Sequence, residues 1–179
     1  FDSLNAGVLS TAVTWTASST ANTITTGSGN DVINAGGGAD VIAAGDGNDT
    51  VDYWGNETSI NGGTGNNTMI VRAVSGLTAV NLAAAAGTDI TTGDTVSVLN
   101  FQNLDSSAVG AGLTVTGSSA ANNITTGSGV DTIDGGGGAD VVSAGGGDDT
   151  ITFRGTETSI DAGSGTWTLY GAQAYTGTT

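Results

Sequence analysis

The chain has no cysteine, histidine, lysine or proline. Disulfides, thiolate or imidazole metal sites, Ser-His-Asp and Cys-His catalysis, Schiff bases and phosphate-loop lysines are therefore excluded. Positive charge is nearly absent: two arginines stand against 17 acidic residues, for a net charge of −15. Such a chain repels a nucleic-acid backbone. No apolar run approaches the ~18 residues of a membrane-spanning helix. The longest mild one lies around Leu82 to Ala86, so no membrane insertion is expected.

What remains is glycine, 32 of 179 residues, with many small polar residues. Carboxylates, amides, hydroxyls and backbone carbonyls form a set of hard oxygen donors suited to calcium or magnesium. The length suits one or two small domains. The sequence does not begin with Met and shows no signal peptide or export tail, so it is expected to be part of a longer protein. Absence of cysteine suits an extracellular protein, and also an ordinary cytosolic module.

Two periods organise the chain. At an offset of 100, Phe1 aligns with Phe101, Leu4 with Leu104, and SSTANTITTGSG (18–29) with SSAANNITTGSG (118–129). The second copy stops part-way through its unit, as expected of a tandem array. Within each unit runs a period of nine, the kind of regularity that marks repeat architectures. Large apolar residues fall at Ile24, Ile33, Ile42, Val51, Ile60 and Met69, and at Ile124, Ile133, Val142, Ile151, Ile160 and Leu169. Asp or Asn sits two residues before most of them, preceded in the best copies by Gly-x-Gly. Nine residues accommodate a six-residue Gly-rich turn and a strand of about three with one inward side chain. Glycine serves where φ > 0 is needed or where carbonyls must converge. If successive turns fall on opposite edges, one coil takes two motifs, and the aliphatic residues stack into parallel ladders.

These residues resemble the calcium-binding RTX repeats, whose frame is G-G-x-G-x-D-x-U-x. The resemblance covers about residues 18–70 and 118–170. Gly36-Gly37-Gly38-Ala39-Asp40-Val41-Ile42 and Gly145-Gly146-Gly147-Asp148-Asp149-Thr150-Ile151 fit the frame's later positions, with Ala35 and Ala144 in place of its first glycine. The expected fold is all-β: a right-handed parallel β-roll, or β-solenoid, with two motifs per coil. A first unit is expected over 1–72, a connecting β segment over 73–117, and a truncated second unit over 118–179. Within the connecting segment, alternation at 77–82 and 95–99 suggests strands, and Phe101 to Asp105 resembles a segment that re-enters the roll. A short helix over Val80 to Ala86 is the other option there.

In a two-motif coil, turns 18 residues apart stack on one edge, so Asp31 faces Asp49 and Asp131 faces Asp149. Calcium takes six to eight oxygens at roughly 2.3–2.6 Å. The resemblance implies which carbonyls join these carboxylates: Gly27 and Gly29 with Ala44 and Asp46, and Gly127 and Gly129 with Ala144 and Gly146. On the other edge Asp40 lies between Asn22 and Thr58, and Asp140 between Asn122 and Thr158. Weaker sites are expected there with Gly36, Gly38, Gly136 and Gly138. A further first-edge site would use Gly45, Gly47, Gly62, Thr64 and Asn67, with one charge; its counterpart meets Trp167, which cannot ligate. Facing carboxylates at 4 Å repel by about 4 kcal/mol at an effective dielectric near 20. Each motif buries one aliphatic side chain, worth roughly 1.5–3 kcal/mol, against about 1–2 kcal/mol of backbone ordering per residue. Calcium binding is thus expected to drive folding.

Other readings exist for the same residues. The Asp ladder could merely cap turns, and paired carboxylates could suggest a glycosidase, although here every pair recurs along a ladder. Glu57 and Glu157 read as solvated charges, with auxiliary ligation as the alternative. Trp15, Trp54, Trp167, Tyr53 and Tyr170 could form a sugar-stacking platform, but Trp54 becomes Arg154 and Trp15 becomes Val115 in the second copy, which favours packing. Ice binding would need a regular outward Thr row, and the third motif position is irregular. The expected function is a non-catalytic, calcium-binding structural module of a secreted or cell-surface bacterial repeat protein, such as an S-layer protein or adhesin. The resemblance implies the extracellular placement and type I secretion, with neighbouring subunits or surface polysaccharide as partners. The alternative is an accessory roll of an RTX protease, lipase or epimerase.

Overall fold

The computed structural model describes residues 3–72 and 76–171. Phe1, the start of the connecting segment at 73–75 and the end of the second unit at 172–179 lie outside the described residues. Most strands are three residues long, with the middle side chain inward: Thr23–Thr25, Val32–Asn34 and Val41–Ala43 each expose one residue, bury the next and half-bury the third. β-Branched residues at the centre suit this half-buried pleat.

Outside the connecting segment, consecutive strands alternate between two walls. One wall is a single eight-stranded sheet: Thr14–Thr16, Val32–Asn34, Thr50–Tyr53, Thr68–Val71, Asn103–Asp105, Asn123–Thr125, Val141–Ser143 and Ser159–Asp161. The facing wall is two sheets. The first holds Ser3–Asn5, Thr23–Thr25, Val41–Ala43, Ser59–Asn61 and Ser97–Leu99; the second holds Thr91–Thr92, Ala79–Asn81, Thr114–Thr116, Thr132–Asp134, Asp149–Phe153 and Trp167–Gly171. After the first strand, whose Leu4 pairs with Ile24, the register step within each unit is 18: Ile24 pairs with Ile42 and Ile42 with Ile60, while Ile33 pairs with Val51 and Val51 with Met69. The chain is an all-β, parallel β-solenoid with two motifs per coil. One apolar core runs through both units from Ile24 to Ile151.

Strands form at both predicted places in the connecting segment, and Asn103–Asp105 re-enters the roll between Thr68–Val71 and Asn123–Thr125. One feature departs from expectation. Thr91–Thr92 pairs antiparallel with Ala79–Asn81, the one antiparallel pairing among the described residues. The optional helix does not form: Val80 is buried in a strand, and the Asn81 side-chain oxygen accepts the Ala83 N–H at 3.0 Å. That local bond competes with the first helical turn.

The connection also inverts the phase of the repeat. Ile24 lies in the five-stranded sheet, but Ile124 lies on the opposite wall, in the eight-stranded sheet. Residues 100 apart therefore occupy opposite walls, and equivalent turns occupy opposite edges.

Candidate metal centre

The turns are shaped by backbone approach. Gly45 and Gly47 have φ of 92° and 118°, and a Cβ on either would lie 2.1–2.2 Å from the carbonyl oxygen of Gly27 or Gly29 in the coil below. Gly145 and Gly147 stack in the same way on Gly127 and Gly129. The lower glycines have another cause. Gly27, Gly29, Gly127 and Gly129 lack the positive φ but lie against the longer turns 6–13 and 106–113, where a Cβ on Gly27 would be 1.9 Å from the Leu9 carbonyl oxygen.

Each ladder aspartate uses its two oxygens differently. The Asp31 N–H donates to Asp49 Oδ1 at 2.8 Å, and the Asp131 N–H to Asp149 Oδ1 at 2.8 Å. Asp31 and Asp131 in turn accept from Val13 and Leu113 at 2.7 Å. On the other edges Asn22 donates to Asp40 and Asn122 to Asp140. In all six aspartates, none more than 1% exposed, Oδ2 is buried without a hydrogen-bond partner. An ionised buried oxygen left unpaired is costly. Burial accordingly raises the Asp40, Asp140 and Asp149 carboxyls above their ordinary range. It pushes Asp49 up to about 6, with Asp31 and Asp46 adding repulsion. Six orphans at one atom of one motif position fit a hard cation.

The structure brings the expected ligands together. Gly27, Gly29 and Asp31 stack beneath Ala44, Asp46 and Asp49, with the Asp46 N–H donating to the Gly27 carbonyl at 2.9 Å. The second copy repeats this with Gly146 donating to Gly127 at 2.8 Å. Among the described residues no group of three or more acidic side chains converges, so two carboxylates would need backbone oxygens to complete a calcium shell. A carbonyl has two lone pairs and can serve both a neighbour and a cation. On the weaker edges Gly36, Gly38, Gly136 and Gly138 also adopt positive φ, around Asp40 and Asp140. The Asp40 carbonyl accepts from Thr58, and the Asp140 carbonyl from Thr158.

Some participants were not foreseen. The Thr26 hydroxyl, 2% exposed, donates to the Ala44 carbonyl at 2.7 Å, and Thr126 to Ala144 at 2.9 Å. The signal available was Thr at the frame's first position in both copies. Glu57 departs from the expectation of a solvated charge, being 4% exposed. Its carboxylate accepts the N–H groups of Trp54, Gly55 and Asn56 at 2.9, 2.9 and 3.1 Å. Glu157, half-buried in an exposed turn, accepts the N–H groups of Arg154, Gly155 and Thr156 in the same way. A six-residue turn without the Gly-x-Gly pattern leaves three amides pointing inward, and the glutamate satisfies them.

Between turns 44–49 and 62–67, Gly45 and Thr64 are joined by the Thr64 N–H donating to the Gly45 carbonyl, and Gly47 donates to the Thr64 carbonyl. There the Asn67 amide reaches the Gly62 carbonyl at 2.8 Å. Trp167 is half-exposed at the start of its strand. The aromatic residues differ in their surroundings. Trp15 packs on the core and Tyr53 is fully buried, while the Trp54 ring nitrogen donates to Asn34 at 3.2 Å. In the second copy Arg154 and Asp134 replace Trp54 and Asn34, and they form an ion pair that lowers the Asp134 pKa.

The RTX calcium-binding nonapeptide repeat family, described in four-copy blocks, matches residues 16–51 and 116–151. No curated protein and no solved structure matches the chain.

Proposed function

From its place among the RTX calcium-binding repeats, of which this chain carries two blocks forming one β-roll module, we propose that it folds on binding calcium and acts as a non-catalytic structural segment of a secreted or cell-surface repeat protein, of the S-layer or adhesin kind. The observation that carries the reading is that the six aspartates at the repeat's Asp position each bury an Oδ2 without a partner. The strong positions are Asp31 with Asp49 and Asp131 with Asp149, completed by carbonyls of Gly27, Gly29, Ala44 and Asp46 and of Gly127, Gly129, Ala144 and Gly146. Gly36, Gly38 and Asp40, with Gly136, Gly138 and Asp140, offer weaker positions carrying one carboxylate each. Calcium supplies the positive charge that lets these carboxylates stay ionised and buried. The chain's own part is to bring the turns into register, so that each carboxylate meets the carbonyls of two coils.

Secretion follows from the same switch: a low-calcium cytosol would leave the aspartate-bearing coils unfolded for export, and calcium outside would stiffen them. Calorimetry with calcium, and with magnesium as control, tests the reading. Binding of two or more calcium ions, reduced by the D49N/D149N double variant, is expected. Saturation without heat or retained ions by equilibrium dialysis would reject it.

A further inference from the structure

The edge that carries Asp31 and Asp49 does not stop at the end of the first unit. Through the phase inversion it continues without a break as Asp31, Asp49, Asn67, Gln102, Asn122 and Asp140. Asp49 donates its N–H to Asn67 Oδ1 at 2.9 Å, Asn67 to Gln102 Oε1 at 2.8 Å, and Asn122 to Asp140 Oδ1 at 2.8 Å. The Asn122 side-chain amide closes the gap by donating to the Gln102 carbonyl at 2.6 Å. The ladder is thus acidic at both ends and amidic in the middle.

We propose that the Asn67 side-chain amide takes the place of a calcium ion, and that the middle of the solenoid, about residues 61–72 and 97–123, holds together without the metal. Asn67 is fully buried. Its Oδ1 makes the same rung as an aspartate Oδ1. Its Nδ2 stands where the aspartates have their partnerless Oδ2, and donates to the carbonyls of Gly62 at 2.8 Å and Asn100 at 3.1 Å. A cation would draw such carbonyls together by charge; the NH2 group does so with two hydrogen bonds. Asn100 is built for this: it is the one non-glycine residue with positive φ among the described residues, at 63°, a conformation Asn tolerates. Its own amide is held by Asn61 Oδ1 at 2.8 Å. Neighbouring amides extend the clamp, Asn103 Nδ2 donating to Asn66 Oδ1 and the Asn123 N–H to Asn103 Oδ1, both at 2.9 Å. An amide carries donor and acceptor together and needs no counter-ion, whereas a carboxylate only accepts. Accordingly every ladder aspartate has a partnerless buried oxygen, while Asn67, Gln102, Asn103 and Asn122 have none. The calcium-free clamp is backed by Val98, Phe101 and Leu104, all buried.

This inference rests on the calcium reading of the flanking aspartates, and hydrogen exchange read by mass spectrometry separates the two. In chelator, amides of 61–72 and 97–123 are expected to exchange at least about tenfold more slowly than those of 23–50 and 131–152, a difference in local opening; calcium should then protect the flanks. Flanks that ignore calcium would sink the calcium reading. Flanks that respond, with a middle that exchanges as fast as they do in chelator, would overturn the amide clamp. The N67D variant gives a second readout. It is expected to lose the central protection in chelator, regain it in calcium and bind one additional ion. Central protection that persists in the variant without calcium would also contradict the proposal.

Discussion

At the scale of the residue, the aspartate of each motif is a compromise between two bonds. Oδ1 is spent on a neighbouring coil's N–H, and Oδ2 is left for a cation. The Asp49 carboxyl, pushed up to about 6 from 3.8, gives the pH dependence its sign. Between about pH 4 and 6 the calcium-free folded chain holds a proton there that the unfolded chain has lost. Stability of the calcium-free roll therefore rises as pH falls through that window and is lost as pH rises through 6. Calcium needs the carboxylate, so its affinity should drop about tenfold per pH unit below 6 for each coupled proton. Calorimetric titrations at pH 7.5 and 5.0 check this, and equal affinities would contradict it. Glycine is the other residue with a fixed role. Gly45→Ala would place a methyl 2.1 Å from the Gly27 carbonyl oxygen at φ 92°, and should cost roughly 2–4 kcal/mol, read from chemical denaturation in calcium.

At the scale of the element, the strand and turn are nearly interchangeable units, and this is why so much was legible. The nine-residue spacing of Ile24, Ile33 and Ile42 is the pleat and turn geometry itself, so register and facing Asp pairs within a unit could be read from spacing. The turns that broke the frame were read less well. Glu57 looked like a surface charge because nothing in Trp-Gly-Asn-Glu-Thr announces three inward amides. Glu57→Ala should strip those amides and destabilise the chain by about 1–3 kcal/mol. The number of calcium ions bound should stay unchanged, whereas a fall in stoichiometry would make Glu57 a ligand after all. The antiparallel Ala79–Asn81 and Thr91–Thr92 pair was missed because a hairpin inside a parallel solenoid is set by long-range pairing with Thr114–Thr116, which no local pattern carries.

At the scale of the whole molecule, two carboxylate-rich edges face opposite ways, because the connecting segment shifts the second unit onto the other wall. The aligned repeats could not disclose this, since identical sequences occupy opposite faces. With −15 net charge and both arginines paired to aspartates, Arg72 to Asp52 and Arg154 to Asp134, the molecule has no internal surplus of positive charge to hold its turns. Repeat stability is a sum of local and neighbour terms, so the turns along both edges should gain order together as calcium is added. The most direct measurement is far-UV circular dichroism of the chain in chelator, then with calcium added, then with magnesium in its place. A large gain of β signal specific to calcium is expected, above a smaller β component already present in chelator. A full β spectrum in chelator, unchanged by calcium, would contradict it.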